Sequence, residues 1–196
     1  MRSPRYPVPQ NVIHPPEHNL PGRKESESTL EDLLIVEFAW AYLNNASRIH
    51  HGSTKSNTFG ARQVAVNGFG IADFVSVSAK TGLALGNQIT HLSVLRPSDL
   101  TVRAFEVKIA NWRKGMMQAC RYRFYANAAI LVLPANKCRA AIPYLCTFRR
   151  IRVGLWGFDA EAKRIIDFYT PRPEAAREPK YWGRVINTIS SLQEAQ

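Results

Sequence analysis

Acidic residues are nearly missing from the middle of this 196-residue chain. Between Arg96 and Arg152 only Asp99 and Glu106 stand against 12 Lys and Arg, while the rest carries 14 basic and 13 acidic residues. The net charge of +11 therefore belongs to one segment. A solvated basic surface is the plain reading of such a bias. The near absence of acids, with Trp112, Tyr122, Phe124, Tyr125 and Tyr144 interleaved, favours a phosphate backbone instead.

Other absences narrow the class. No apolar run approaches the roughly 20 residues that span a bilayer; the best, Leu33 to Leu43, is broken by Glu37. No membrane partner is expected. The N-terminus lacks the apolar core of a secretory signal, which points to the cytoplasm. Cys120, Cys138 and Cys146 have no metal-ligand spacing, and one of three must stay unpaired, so buried reduced thiols are expected. Repeats, a zinc motif, a Gly-rich phosphate loop and a Gly-x-Ser-x-Gly elbow are all lacking. The hydrophobic fraction, 45%, and the length suit one soluble domain with a sizeable core.

Residues 1 to 27 hold six of the 12 prolines and little apolar periodicity, the pattern of an extended arm. A single domain should occupy 28 to 196. Ser28-Thr29-Leu30-Glu31 fits a capping box opening a helix to about Asn44. In this reading Glu25, Glu27, Glu31 and Asp32 favour the dipole of the helix they precede or open. A polar loop follows, Ala46 to Gly60; His50, His51 and His91 read as solvated loop residues. Arg62 to Val66 and Ile71 to Ser78 read as strands around an Asn67-Gly68 hairpin. Leu92 to Leu95 could add a short strand. Thr101 to Ile109 is a strand, Trp112 to Tyr125 a basic helix, and Ala128 to Leu133 a buried central strand. Asn136 could cap a helix to about Arg149, disturbed by Pro143. Arg152 to Gly157 and Arg164 to Tyr169 close the sheet, and Lys180 to Leu192 forms a tail helix. The result is an α/β fold, a mixed sheet with helices on its faces.

Glu106-Val107-Lys108 carries the most chemistry. Alternation along a strand puts Glu106 and Lys108 on one face, with Phe105, Val107 and Ile109 on the other. Alone, Glu-x-Lys is common and describes a solvated strand edge. Asp73 lies inside the apolar strand Ile71-Ala-Asp-Phe-Val, and a carboxylate is costly to bury unless paired or bound to metal. Glu37 lies on or near the apolar stripe of the first helix, four after Leu33 and three before Trp40.

In this order, on these elements, the residues resemble the PD-(D/E)XK nuclease superfamily. The resemblance runs from about Leu30 to Pro134. It rests on Glu37 in the first helix, Asp73 in the second strand, Glu106-x-Lys108 ending the third, Gln118-Ala-Cys-Arg-Tyr122 on the next helix, and the apolar strand ending in Pro134. Ala72 stands where the motif's loosely kept proline would be, and the interval from Asp73 to Glu106 is long enough for an inserted loop. The resemblance implies a restriction-endonuclease-like core in αβββαβ order and a metal-dependent endonuclease acting on DNA.

On that reading Asp73, Glu106 and the Val107 carbonyl offer the oxygen ligands Mg²⁺ prefers, with Mn²⁺ as a substitute. Glu37 would join a water-mediated shell or a second metal. Lys108 would orient or deprotonate the attacking water, its pKa depressed beside Mg²⁺. Gln118 would reach the Lys108 or scissile-phosphate region. Trp112, Arg113, Lys114, Arg121, Tyr122 and Arg123 would hold the nucleic acid. RNA in place of DNA, a homodimer, and a partner protein supplying target specificity all stay open. Two other readings compete: a non-catalytic nucleic-acid-binding subunit on the same fold, and a phosphate-binding domain whose basic helix contacts a protein.

Overall fold

The computed structural model describes residues 12–13, 25–49, 58–66, 68–79 and 97–194. Its elements are β1 (Val12–Ile13), α1 (Glu25–Ile49), β2 (Thr58–Val66), β3 (Gly70–Ala79), β4 (Leu100–Val107), α2 (Trp112–Tyr122), β5 (Ala128–Pro134), α3 (Leu145–Ile151), β6 (Val153–Asp159), β7 (Arg164–Tyr169) and α4 (Pro179–Glu194). The strands form one mixed sheet in sequence order, six full strands with the two-residue β1 added beside β2. β3 runs antiparallel to both β2 and β4, β4, β5 and β6 run parallel, and β7 returns antiparallel. The fold is α/β, with helices flanking the sheet.

The parallel strands need covered faces. On one face Ile35, Phe38, Ala39 and Tyr42 of α1 pack on Phe74, Phe105, Ile130, Val132, Trp156 and Phe158. Phe38 meets Phe105, Phe158 and Phe74 edge-on at 5.2, 5.8 and 6.2 Å. Such ring pairs add about 0.5–1.5 kcal/mol each beyond area burial. On the other face Ala119 and Tyr122 of α2, Phe148 of α3, and Val185, Ile186 and Ile189 of α4 pack on Val75, Val77, Leu131 and Leu155. Residues of both parities along β3, β4 and β5 are therefore buried.

Several boundaries differ from the sequence expectations. Ser28 lies inside α1 instead of capping it, and α1 continues to Ile49. β4 stops at Val107, leaving Lys108 and Ile109 just past its end. The helix expected from Asn136 is instead two 3₁₀ turns, Ala135–Ala140 and Ile142–Tyr144, before α3. Pro143 explains the break, since it has no N–H and clashes with the preceding turn. The hairpin turns as expected, with Gly68 at φ +87° and Phe69 N–H donating to the Val66 carbonyl at 2.9 Å. Leu92 to Leu95, His50, His51, His91 and most of the N-terminal arm lie outside the described residues. No helix among the described residues is long and apolar enough to cross a membrane.

Candidate active site

β3 and β4 pair backbone to backbone from Ala79↔Leu100 to Phe74↔Phe105, and there the ladder ends. Beyond that point the Val107 N–H donates to Asp73 Oδ2 at 2.8 Å, a side chain standing in for a strand carbonyl. In a strand the N–H and C=O of one residue face the same side. The Val107 carbonyl is thus directed toward Asp73 as well. β4 remains joined to β5, with Lys108 N–H donating to the Val132 carbonyl at 3.0 Å.

Four charged groups meet at this strand end. Lys108 Nζ lies 2.8 Å from Glu106 Oε1, 3.0 Å from Glu31 Oε1 and 3.7 Å from Asp73 Oδ2. Glu106 is only 1% exposed, and Asp73 and Lys108 are almost as enclosed. The 2.8 Å contact makes Lys108 the direct partner of Glu106 Oε1. The Tyr122 hydroxyl sits against Glu106 Oε2 and 2.7 Å from the Ile71 carbonyl. Arg62 of β2 adds a second cation, felt by Asp32 and Asp73.

Charge decides the character of the site. Glu31, Asp32, Asp73 and Glu106 outnumber Lys108 and Arg62 by two negative charges. Burial, then repulsion from Glu106, raises the Asp73 carboxyl to about 7. Burial likewise raises Glu106, despite Lys108 beside it. For Lys108, burial works against the ammonium, but Asp73, Glu106 and Glu31 outweigh it and hold its pKa above that of a free lysine. The surrounding carboxylates thus favour the ammonium form of Lys108 in the metal-free chain. Burial and Glu106 together push the Tyr122 hydroxyl far up, so it keeps its proton.

The donor set suits a hard divalent cation. Two buried carboxylates and a backbone carbonyl supply oxygen ligands, and acidic groups outnumber the cations around them. Among the described residues, no group of three His, Cys, Asp or Glu side chains is placed to hold a metal ion by itself. Asp73, Glu106 and the Val107 carbonyl are the residues that would hold one.

Gly115 sets how closely α2 approaches. A Cβ there would lie 2.7 Å from Leu131 Cδ1 and 2.8 Å from Lys108 Cγ. Asn111 caps this helix, its side chain accepting from Lys114 N–H at 3.3 Å. Gln118 follows Gly115 by three residues and precedes Tyr122 by four, so the three share a helix face. Gln118 Oε1 is buried and finds no hydrogen-bond partner among the described residues. A buried acceptor left open beside a charged site is a place for a ligand group or water.

Glu37 requires a correction. It pairs with Lys163 at 3.0 Å, in the turn between β6 and β7. Six residues along a helix amount to ~9 Å of rise and a turn of about 120° from Glu31, so the two acids serve different places. Glu31, and not Glu37, is the α1 acid in contact with Lys108. A sequence signal existed: Glu31, Ile35, Phe38 and Tyr42 follow one helix stripe, and the last three are fully buried.

The expected nucleic-acid residues divide. Arg113, Lys114 and Arg121 are exposed on α2. Trp112 instead packs in the core, 4.9 Å from Tyr144 and 6.0 Å from Phe148. It supports Arg113, whose guanidinium sits 4.4 Å over the indole and donates to the Tyr144 hydroxyl at 3.0 Å. Tyr122 is buried within the carboxylate site. Arg123 is mostly enclosed, donating to the Ile151 carbonyl at 2.8 Å and pairing with Glu174. Arg103, in the same basic segment, is buried in the sheet and donates to Ser78 Oγ at 2.9 Å.

Neither a family model, nor a curated protein, nor a solved structure matches this chain.

Proposed function

We propose that the chain is a metal-dependent nuclease of the PD-(D/E)XK type, hydrolysing phosphodiester bonds of DNA. The observation that carries this reading is the meeting of Glu31, Asp73 and Glu106 around Lys108 where β3 and β4 part. The order α1, β2, β3, β4, α2, β5 agrees with the restriction-endonuclease-like core the motifs imply. The exposed cations Arg113, Lys114 and Arg121 lie on the helix that also carries Gln118 and Tyr122.

When bound, Mg²⁺ or Mn²⁺ supplies the Lewis acidity that polarises a phosphate oxygen and acidifies a water. Asp73, Glu106 and the Val107 carbonyl would hold it. The Val107 N–H fixes the Asp73 carboxylate, and the Tyr122 hydroxyl fixes Glu106. Lys108, as an ammonium with three donors, steadies the attacking water and the charge that grows on the phosphate. Glu31 holds Lys108 from the α1 side. Gln118 offers its open oxygen to the water or its amide to the phosphate.

One observation favours the second reading, a non-catalytic nucleic-acid-binding subunit. No three carboxylates among the described residues converge as a metal cage. The deciding assay incubates plasmid, linear, single-stranded and branched DNA with Mg²⁺, Mn²⁺ or EDTA, wild type beside Asp73→Ala. Cleavage that needs metal and Asp73 supports the nuclease. Cleavage unchanged in Asp73→Ala, or complete in EDTA, refutes the mechanism. Binding without cleavage on any substrate selects the second reading.

A further inference from the structure

The basic segment identified by composition is not the whole positive surface. Residues 174 to 178 dock on the end of α2, where Arg177 N–H donates to the Arg123 carbonyl at 3.2 Å and Glu178 N–H to the Phe124 carbonyl at 2.9 Å. This docking brings Arg177 beside Arg123, and Glu174 pairs with Arg123 at 3.7 Å and also with Arg152. Burial, then Arg177 beside it, lowers the Arg123 pKa. Two guanidinium groups thus share one carboxylate, with Arg177 beside Arg123.

Aromatic rings hold further cations in place nearby. Phe69, at the tip of the β2–β3 hairpin, stacks on Phe124 at 4.8 Å and meets Tyr181 edge-on at 4.9 Å. Arg177 lies 5.4 Å over Phe124, while Lys180 and Arg184 lie 5.0 and 5.2 Å over Tyr181. The three cations are exposed and supported by ring faces. Lys180 also stands in the first turn of α4, where the helix dipole disfavours positive charge, so helix stability does not explain it.

The location connects this patch to the carboxylate site. Phe69 is four residues before Asp73, ~13 Å along a strand. Between them, the Ile71 carbonyl accepts from Tyr122, which also touches Glu106. Resting on the nuclease reading above, we propose that Arg177, Lys180 and Arg184 form a sequence-independent clamp on the phosphate backbone of duplex DNA. The clamp continues the track of Arg121 on α2 and holds the strand beside the scissile bond. A lipid surface suits the patch less well. None of the exposed large apolar side chains among the described residues lies on α4, so nothing there would enter acyl chains.

The test measures binding of a 20-base-pair DNA duplex across a salt series, in an Asp73→Asn background that does not cut. The variants are Lys180→Glu with Arg184→Glu, the same pair changed to Gln, and Arg177→Gln. Thermal melts confirm that each is folded. Expected is a fall in affinity of about tenfold or more for the Gln pair and a larger one for the Glu pair, with the salt slope flattened by about one unit per lost contact. Sequence changes in the duplex should leave these differences unaltered. Unchanged affinity and slope in folded variants, beside a parent that binds, overturn the clamp while the nuclease reading stands. A parent that does not bind DNA overturns both. Loss of binding to phosphatidylserine vesicles with DNA binding intact overturns the clamp in favour of a membrane partner.

Discussion

The Glu31 carboxylate lies 3.0 Å from the Lys108 ammonium, joining residues 77 positions apart. It reaches from α1 around the end of β4, while Gly115 of α2 presses on the same lysine from the other side. Lys108 is thus held by both layers. Glu31→Gln keeps the shape but removes the charge that fixes the ammonium. Its Mg²⁺-dependent nicking rate should fall ~10–100-fold, the usual cost of losing a group that orients a metal site's residues. Glu37→Gln breaks only the pair with Lys163 and should cut within a few-fold of wild type. Plasmid nicking by the two variants side by side decides the assignment, and the reverse ranking would return the role to Glu37.

That pair also marks what could be read from sequence. Asp73, Glu106 and Lys108 were legible because each breaks or punctuates an apolar strand, and strand alternation fixes their common face. Their meeting around one nitrogen bears out only the geometry. Glu31 was misread as a helix-opening acid because the predicted start, Ser28, fell too late, and its stripe with Ile35, Phe38 and Tyr42 was not followed back one turn. Tyr122 and Trp112 were read as surface aromatics among cations, yet both are buried. In a basic amphipathic helix the aromatic residues belong to the face that packs. Pro143 signalled the disturbance after Asn136, but not that the segment would split into 3₁₀ turns before α3. The α4 cations escaped notice because acids elsewhere in the chain balance them in any count.

Acidity should stabilise the metal-free protein through its carboxylates. Asp73 is raised to about 7 in the folded chain from an ordinary 3.8, and Glu106 is raised too. Between those values the folded state binds the extra proton. Stability from Asp73 is therefore present at low pH and declines as pH rises from about 4 to about 7. Lys108 stays charged throughout that window and contributes no slope there. In EDTA the melting temperature should fall between pH 5 and pH 8, and Asp73→Asn should flatten that fall. Mg²⁺ at pH 8 should restore stability in wild type, by mass action on the folded form. A melting temperature that rises over this range in EDTA would contradict the buried, repelling carboxylates.

Gly115→Ala tests how finely the lysine is placed. The new methyl meets Leu131 Cδ1 at 2.7 Å and Lys108 Cγ at 2.8 Å, closer than atoms pack. Overpacking of this kind costs about 1–3 kcal/mol, offset by up to about 1 kcal/mol of helix propensity. Urea unfolding should thus show a net loss of up to about 3 kcal/mol. Cleavage should suffer more than stability does, because the side chain that must give way is Lys108. A variant with full activity and unchanged stability would show that α2 can retreat without consequence for the site.

The aromatic and basic residues of α2 should separate into two phenotypes. Arg113, Lys114 and Arg121 are exposed, so Lys114→Glu and Arg121→Glu should leave the melting temperature nearly unchanged. Each should weaken DNA binding with little change in sequence preference and flatten the salt slope by about one unit per lost phosphate contact. Trp112→Ala should behave oppositely. It empties a core position against Tyr144 and Phe148, and truncating a buried Trp costs about 3–5 kcal/mol. Its DNA affinity, measured at low temperature where the variant stays folded, should fall only as far as Arg113 loses its ring support. Salt-dependent binding and urea unfolding on the same three variants make the comparison. If Trp112→Ala proves stable yet fails to bind DNA, the indole touches nucleic acid and its packing against Tyr144 does not describe the working protein.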